Sequence, residues 1–380
     1  VLCTNVNGLS LEVSRKGRWG EWGEWVVGAG MTDGSVLQPY ARLTTRCEGG
    51  RGLAASPALG VLVTFSTDTL HVWESPTVAR CSEGAGLTLV RSLPMSRLMG
   101  SREEDVRHVA RPSWPGFAGS LAFTQGDHRP LLLAVDDHRG LVHIVDVVDG
   151  VHKGFLGPRC VTRPNAVAAT KGAVVVSGTK HAGAPSFFEV FEGQGHTWTR
   201  LLAREVDAVH RQPRVLFVDW TPTLKRVCLI VEGSACIVYS GSPQTLQGVR
   251  EDVMATSKIG QMEAGVFWDL LPAGRPKALP TAFIAVTRGP RALWVYTDTV
   301  DAHKCSFLFP GSPTALVVVP EVGVVSLETA TGAAGEGEGS VGGVLRVFGR
   351  RDDVAMAAMS AARVAWMACA ARAMRSRHAD

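Results

Sequence analysis

The 380 residues contain no Cys-x-x-Cys pair, no Asn-x-Ser/Thr sequon and only three asparagines. The eight cysteines are scattered, with no Cys/His set at metal-ligand spacing, so neither a zinc finger nor a disulfide framework is indicated and most thiols read as core residues. Missing, too, are Gly-x-Ser-x-Gly, His-Glu-x-x-His and the phosphate-loop Gly-x-x-x-x-Gly-Lys, which leaves a nucleophile elbow, a zinc protease and a nucleotide cradle without their sequence signals. Absence of sequons points away from a secreted glycoprotein and toward an intracellular one. Charged residues are sparse at 19%, and a net charge of +4 over this length sets up no dense basic field. The 46% hydrophobic content in turn excludes a disordered chain. One stretch, 354–374, has the length of a membrane span, but Arg363 and Arg372 lie within it and most of the remainder is alanine, so it reads as a soluble helix and no membrane span is expected.

What the chain has instead is glycine (42) and proline (20), together with short valine-rich runs, the composition of short strands joined by tight turns. A unit recurs. Its most legible part is a strand ending in valine and an aromatic: Leu70-His71-Val72-Trp73, Phe188-Glu189-Val190-Phe191, Cys236-Ile237-Val238-Tyr239, Leu293-Trp294-Val295-Tyr296 and Leu345-Arg346-Val347-Phe348, with Val142-His143-Ile144-Val145 as a copy lacking the aromatic. Each copy alternates, as a half-buried strand does. From the second copy on, the spacing is about 46 to 57 residues, the length of a propeller blade. Before each copy runs a nearly continuous apolar strand, such as 131–135 or 227–231, the pattern of a strand covered on both faces. A further short strand precedes that one (53–55, 120–123, 166–169, 215–218, 265–268, 315–319), and a fourth follows in most units (87–93, 152–156, 197–202, 306–309, and weakly 245–249). Six units of four strands give an all-β fold, a six-bladed β-propeller of four-stranded blades, with a C-terminal α-helix.

The sixth unit lacks a fourth strand of its own. Glu24-Trp25-Val26-Val27-Gly28 is the expected donor, closing the ring and covering an edge. The expected organisation is an N-terminal segment with the closing strand over 1–50, a propeller over 51–349 with an inter-blade insertion at 76–118, and a helix over 350–380.

These units resemble NHL repeats. The run from Gly28 to Pro39 is similar to the inter-blade linker of that family, and Pro130 to Asp146 to its strand-turn-strand core. The valine-aromatic strand ends extend the likeness over most of residues 24–349, while 355–367 resembles the helix closing a group of uncharacterised protist and algal NHL-like proteins. The family's Asp-x-x-Asn-x-Arg turn is degraded throughout, as in Asp136-Asp137-His138-Arg139. The resemblance implies a propeller and raises RNA binding on a basic face, as some family members show; the propeller fold itself also raises hydrolysis of the lactonase type.

Candidate chemistry is thin. Asp136, Asp137 and His138 form one tight acid/His cluster, either a general base or metal ligand or a turn whose carboxylate caps backbone N–H groups. A calcium-dependent lactonase needs six to eight oxygen ligands, and the Leu/Val/Ala/Phe-rich inner strands supply few; no cofactor or metal is expected. Gly332 to Gly339 carries acids and no lysine and reads as a hairpin loop. Arg18, Arg46, Arg51, Arg139, Arg288 and Arg291 are dispersed through turns, so RNA is the secondary partner class. The candidate interaction surface comprises Trp19, Trp22 and Trp25, spaced by three, with Met356, Met359, Arg363, Trp366 and Met367 of the terminal helix. The reading that follows is a non-catalytic scaffold for protein partners, a subunit of a larger complex.

Overall fold

A computed structural model describes the strands and many of their tight turns between Leu37 and Arg350; residues 1–36, 96–119 and 351–380 and the longer connections lie outside the described residues, and in the fourth and fifth blades few side chains are described. The described residues contain twenty-four strands in six antiparallel sheets of four. Strand β1 (Leu37–Glu48) comes first. Blade 1 is β2 (Gly52–Ser56), β3 (Val61–Phe65), β4 (Thr69–Glu74) and β5 (Leu89–Pro94). Blade 2 is β6 (Leu121–Phe123), β7 (Leu132–Asp136), β8 (Leu141–Asp146) and β9 (Val151–Leu156). Blade 3 follows as β10 (Arg163–Thr170), β11 (Ala173–Thr179), β12 (Ser186–Gln194) and β13 (Thr197–Val206). Blade 4 is β14 (Pro213–Trp220), β15 (Lys225–Val231), β16 (Ala235–Gly241) and β17 (Arg250–Ala255). Blade 5 is β18 (Met262–Trp268), β19 (Ala282–Arg288), β20 (Arg291–Thr297) and β21 (His303–Leu308). Blade 6 has three strands from its own stretch of chain, β22 (Ser312–Val319), β23 (Gly323–Thr329) and β24 (Gly342–Arg350).

The innermost strands touch in succession, β2 with β6, β6 with β10, then β14, β18, β22 and back to β2, so the ring is closed. Closure uses the N-terminal side of the chain, but the donor is β1, whose residues pair antiparallel with β24 from Leu37 opposite Arg350 to Glu48 opposite Gly342. The expected donor, 24–28, lies outside the described residues, and the edge assigned to it is taken by β1. The physical reason is legible afterwards: Leu37, Pro39, Ala41 and Leu43 alternate over a longer run, and proline is tolerated on an outermost strand, here next to a bulge between Pro39 and Ala41. The outermost strand of blade 4 likewise falls at β17, beyond the expected 245–249, because an outer strand exposed on its flank need not be apolar.

The core lies between blades. Val63, Phe65 and Val72 of blade 1 pack with Leu132, Ala134 and Val145 of blade 2, and Leu133, Val135 and Ile144 with Val167, Val174 and Phe191 of blade 3. Because neighbours cover the blade faces, the third strands of blades 2 and 3 are not half-buried as their alternation suggests: His143 and Glu189 are buried along with the valines beside them, whereas His71 and Arg346 in blades 1 and 6 remain half-buried. Serine hydroxyls join adjacent blades, Ser120 Oγ accepting the Val167 N–H at 3.0 Å and Ser177 Oγ the Val215 N–H at 2.8 Å. Cys228 stands opposite Val238, and Cys236 opposite Ile230.

The two turns that share a sequence pattern, Ser56 to Gly60 and Val319 to Gly323, end on glycines with φ of 63° and 127°. A Cβ at Gly60 meets nothing, whereas one at Gly323 would collide with the carbonyl oxygen of Phe348. Gly60→Ala is therefore expected to cost about 1 kcal/mol, the left-handed penalty alone, and Gly323→Ala about 3 kcal/mol or more, because backbone must shift. Paired urea titrations check the difference; equal midpoints would contradict it.

Candidate functional site

Three places bring polar chemistry together. The first is the central channel, about 610 Å³, walled by the innermost strands of all six blades. None of its described lining residues is charged; the wall is mostly alanine, valine and leucine, with Ser120, Thr124, Asn165 and Thr314 among its polar members. Ser120 and Thr124 are committed to backbone, Thr124 Oγ1 accepting the Leu131 N–H at 2.9 Å. Among the described residues no group of three or more His, Cys, Asp or Glu converges as metal ligands.

The second is a polar seam inside the blades. The third-strand residue two places before the aromatic position is His71, His143, Glu189 or Arg346 in blades 1, 2, 3 and 6, and each meets a polar partner. His71 lies 3.0 Å from Ser66 Oγ through Nε2 and 3.1 Å from Ser92 Oγ through Nδ1. Arg346 donates to both carboxylate oxygens of buried Glu328, at 2.6 and 3.3 Å, and its guanidinium stacks over Phe307. Register places Glu328 and Asp136 at the same position of their second strands, and Arg346 and His143 at the same position of their third. In blade 2 the buried Asp136 accepts the Arg139 N–H at 3.0 Å through Oδ1 and lies 3.2 Å from His143 Nε2 through Oδ2. His143 Nδ1 in turn lies 3.1 Å from His152 Nε2. The three side chains form one hydrogen-bonded row, Asp136–His143–His152, that runs from the second strand of blade 2 to its fourth.

Asp136 thus performs as a turn residue capping a backbone N–H, one of the two roles its sequence allowed; Asp137 and His138 lie outside the described residues. Burial raises the pKa of Asp136, but the His143 hydrogen bond, the Arg139 N–H and the nearby charges together outweigh it and hold the carboxyl below its ordinary value of 3.8. Burial and, second, the charge of His143 press His152 below the ordinary 6.5. For both groups the unfolded state takes up protons first on acidification. The contribution of His152 is complete above pH 6.5 and is lost as pH falls through its lowered folded value; that of Asp136 follows below 3.8. The melting temperature is therefore expected to fall between pH 7 and 5, and His152→Gln to flatten that part of the profile. A profile identical to wild type would contradict the assignment.

The third place is a groove on the rim, about 400 Å³, between β9 of blade 2 and β12–β13 of blade 3. Its lining includes Phe155, Leu156, Arg159, Phe191, Trp198 and Arg200. Beneath it, the fully buried Glu189 accepts the N–H groups of Cys160 and Val161 at 2.5 and 2.9 Å through Oε1, tying the blade 2 to blade 3 connection to β12. Its Oε2 faces Arg200 Nη1 at 3.5 Å. Trp198 Nε1–H donates to the Gly195 carbonyl at 2.9 Å, which fixes the indole. Sequence reasoning missed this groove; its only signal was the outward position of Phe155 in β9.

Of the expected surface, Trp19, Trp22, Trp25, Met356, Met359, Arg363, Trp366 and Met367 all lie outside the described residues, as do Arg18, Arg51 and the 332–339 loop. Arg139 stands 4.0 Å from Asp136, and Arg291 donates to the Pro310 carbonyl. No described helix is long and apolar enough to cross a membrane.

No protein-family model matches the chain, and no curated protein matches it. Among solved structures it is similar to a calcium-binding regucalcin of Agrobacterium tumefaciens at 16% identity and a TM-score of 0.46, covering 82% of this chain and 96% of that one. It is also similar to a luciferin-regenerating enzyme at 12% identity and 0.47, covering 83% and 95%, and to BBS1N crystallised with ARL6DN at 10% identity and 0.43, covering 77% of each. Likeness at this level assigns neither an activity nor a partner, and the chain's own residues identify it as an all-β propeller of four-stranded blades.

Proposed function

We propose that this chain is a non-catalytic, NHL-like protein-interaction scaffold and a subunit of a larger assembly. The observation that carries the reading is the partition of its side chains. The ionisable groups of the seam face one another, serine hydroxyls or backbone, whereas large apolar side chains stand in water on the outermost strands: Val90 (56% exposed), Phe155 (61%) and Leu308 (65%). Rigid blades presenting such side chains are suited to holding partners. Trp19, Trp22 and Trp25 and the 350–380 segment, with Met356, Met359, Arg363, Trp366 and Met367, supply further contacts in this reading.

RNA binding is the second reading, favoured by Arg159 and Arg200 standing beside Phe155 and Trp198. It requires affinity that falls steeply with salt. A lactonase-like hydrolase would need carboxylates at the channel, and the described wall offers none. Native purification followed by mass spectrometry separates the readings. A stoichiometric protein companion is expected; recovery as a free monomer with no companion would overturn the scaffold.

A further inference from the structure

We propose that the groove between blades 2 and 3 docks a short acidic peptide segment bearing one bulky apolar side chain, an inference that rests on the scaffold reading and supplies the chemistry of its partner. The floor is apolar: Leu156 and Phe191 are buried and Trp198 half-buried. At the mouth Phe155 is 61% exposed on the outermost strand, so a ligand that covers it gains the hydrophobic free energy of an aromatic ring left in water. Of the two arginines at the groove, Arg159 carries the attraction, because Arg200 already faces the carboxylate of Glu189. Arg159 is exposed and makes no ion pair with a described residue, and Arg200 is half-exposed above the buried Glu189; no carboxylate stands among the lining residues. Guanidinium groups in this position match carboxylates, which they bind in bidentate fashion.

The site is also held in shape. Arg159 immediately precedes Cys160 and Val161, whose N–H groups are anchored on Glu189, and Trp198 is fixed through Gly195. Single-stranded RNA fits less well, because it needs a cationic path along its backbone with successive stacking platforms. This groove is short, offers one cation besides the Arg200–Glu189 pair and keeps two of its three aromatics, Phe191 and Trp198, on the floor.

The test is fluorescence anisotropy on the full chain with a fluorescein-labelled decapeptide of glutamates around one central phenylalanine, its lysine counterpart and a decamer of oligouridylate. Saturable binding of the acidic peptide alone is expected, weakened about tenfold by Arg159→Glu and about fivefold by Phe155→Ala, and unchanged by Leu89→Ser on the outermost strand of blade 1. All three positions are exposed, and matching melting temperatures confirm that each variant folds. Absence of saturable binding, equal affinity in Arg159→Glu, or preference for oligouridylate overturns the proposal. Native purification of wild type beside the Arg159→Glu/Phe155→Ala double variant separates the two levels. The same companions on both proteins, with the peptide unbound, would remove the groove and leave the scaffold; a bound peptide with no companion on either would remove the scaffold and leave the groove.

Discussion

A chain beginning after Glu48 is expected to lose more than about 5 kcal/mol of stability, enough to abolish a cooperative unfolding transition in a protein of ordinary stability. Strand β1 is outermost in blade 6, yet its side chains reach both neighbouring interfaces. Leu37 packs with Ile284 and Leu293 of blade 5 and with Val324 and Phe348, while Ala41 and Leu43 pack with Leu53, Leu62 and Trp73 of blade 1. Leu37 and Leu43 are fully buried, and each contributes about 1.5–3 kcal/mol. Removing the strand also bares the hydrogen-bonding edge of β24, a template for association between chains. Urea unfolding with light scattering checks this. Leu43→Asp in the intact chain should reproduce most of the loss without truncation, and an unchanged urea midpoint in either protein would contradict it.

Glu189→Ala is expected to cost about 3–5 kcal/mol. The carboxylate is fully buried, and its removal leaves the N–H groups of Cys160 and Val161 without their acceptor and Arg200 without its counter-charge. Glu189→Gln retains an acceptor oxygen for both N–H groups and should recover about half of the loss. Chemical denaturation of the three proteins reads the effect directly; a loss within about 1 kcal/mol for the alanine variant would show that the connection between blades 2 and 3 is held by something else. Because Arg159 precedes these two anchored residues, the alanine variant should weaken acidic-peptide binding even where the fold survives.

The blades were legible because their two middle strands carry period and composition together. Runs such as Leu132 to Val135 and Val174 to Val176 are apolar throughout, since neighbouring blades cover both faces, and the valine-aromatic ends repeat at blade length. The same coverage concealed the seam. His143, Glu189 and Arg346 occupy positions that alternation assigns to solvent, and only the facing of blade on blade shows that the first two are buried and the third half-buried, each with a partner on the adjacent strand or in the connection between blades. The closing strand was placed at 24–28 because Gly28 to Pro39 resembles the inter-blade linker of NHL repeats, although an outer strand accommodates Pro39. The groove lay beyond sequence reasoning for a different reason. Phe155, Arg159, Trp198 and Arg200 come from two blades and the connection between them, and no spacing along the chain marks their meeting.

All of these features depend on one closed ring, with blade 6 completed by the start of the described chain. Hydrogen exchange of the intact protein, followed by mass spectrometry, tests that closure most directly. If β1 is the fourth strand of blade 6, peptides covering 37–48 should exchange as slowly as those covering 323–329 and be released in the same unfolding event. Full exchange of 37–48 within seconds, while β23 and β24 stay protected, would show an open ring and contradict the account.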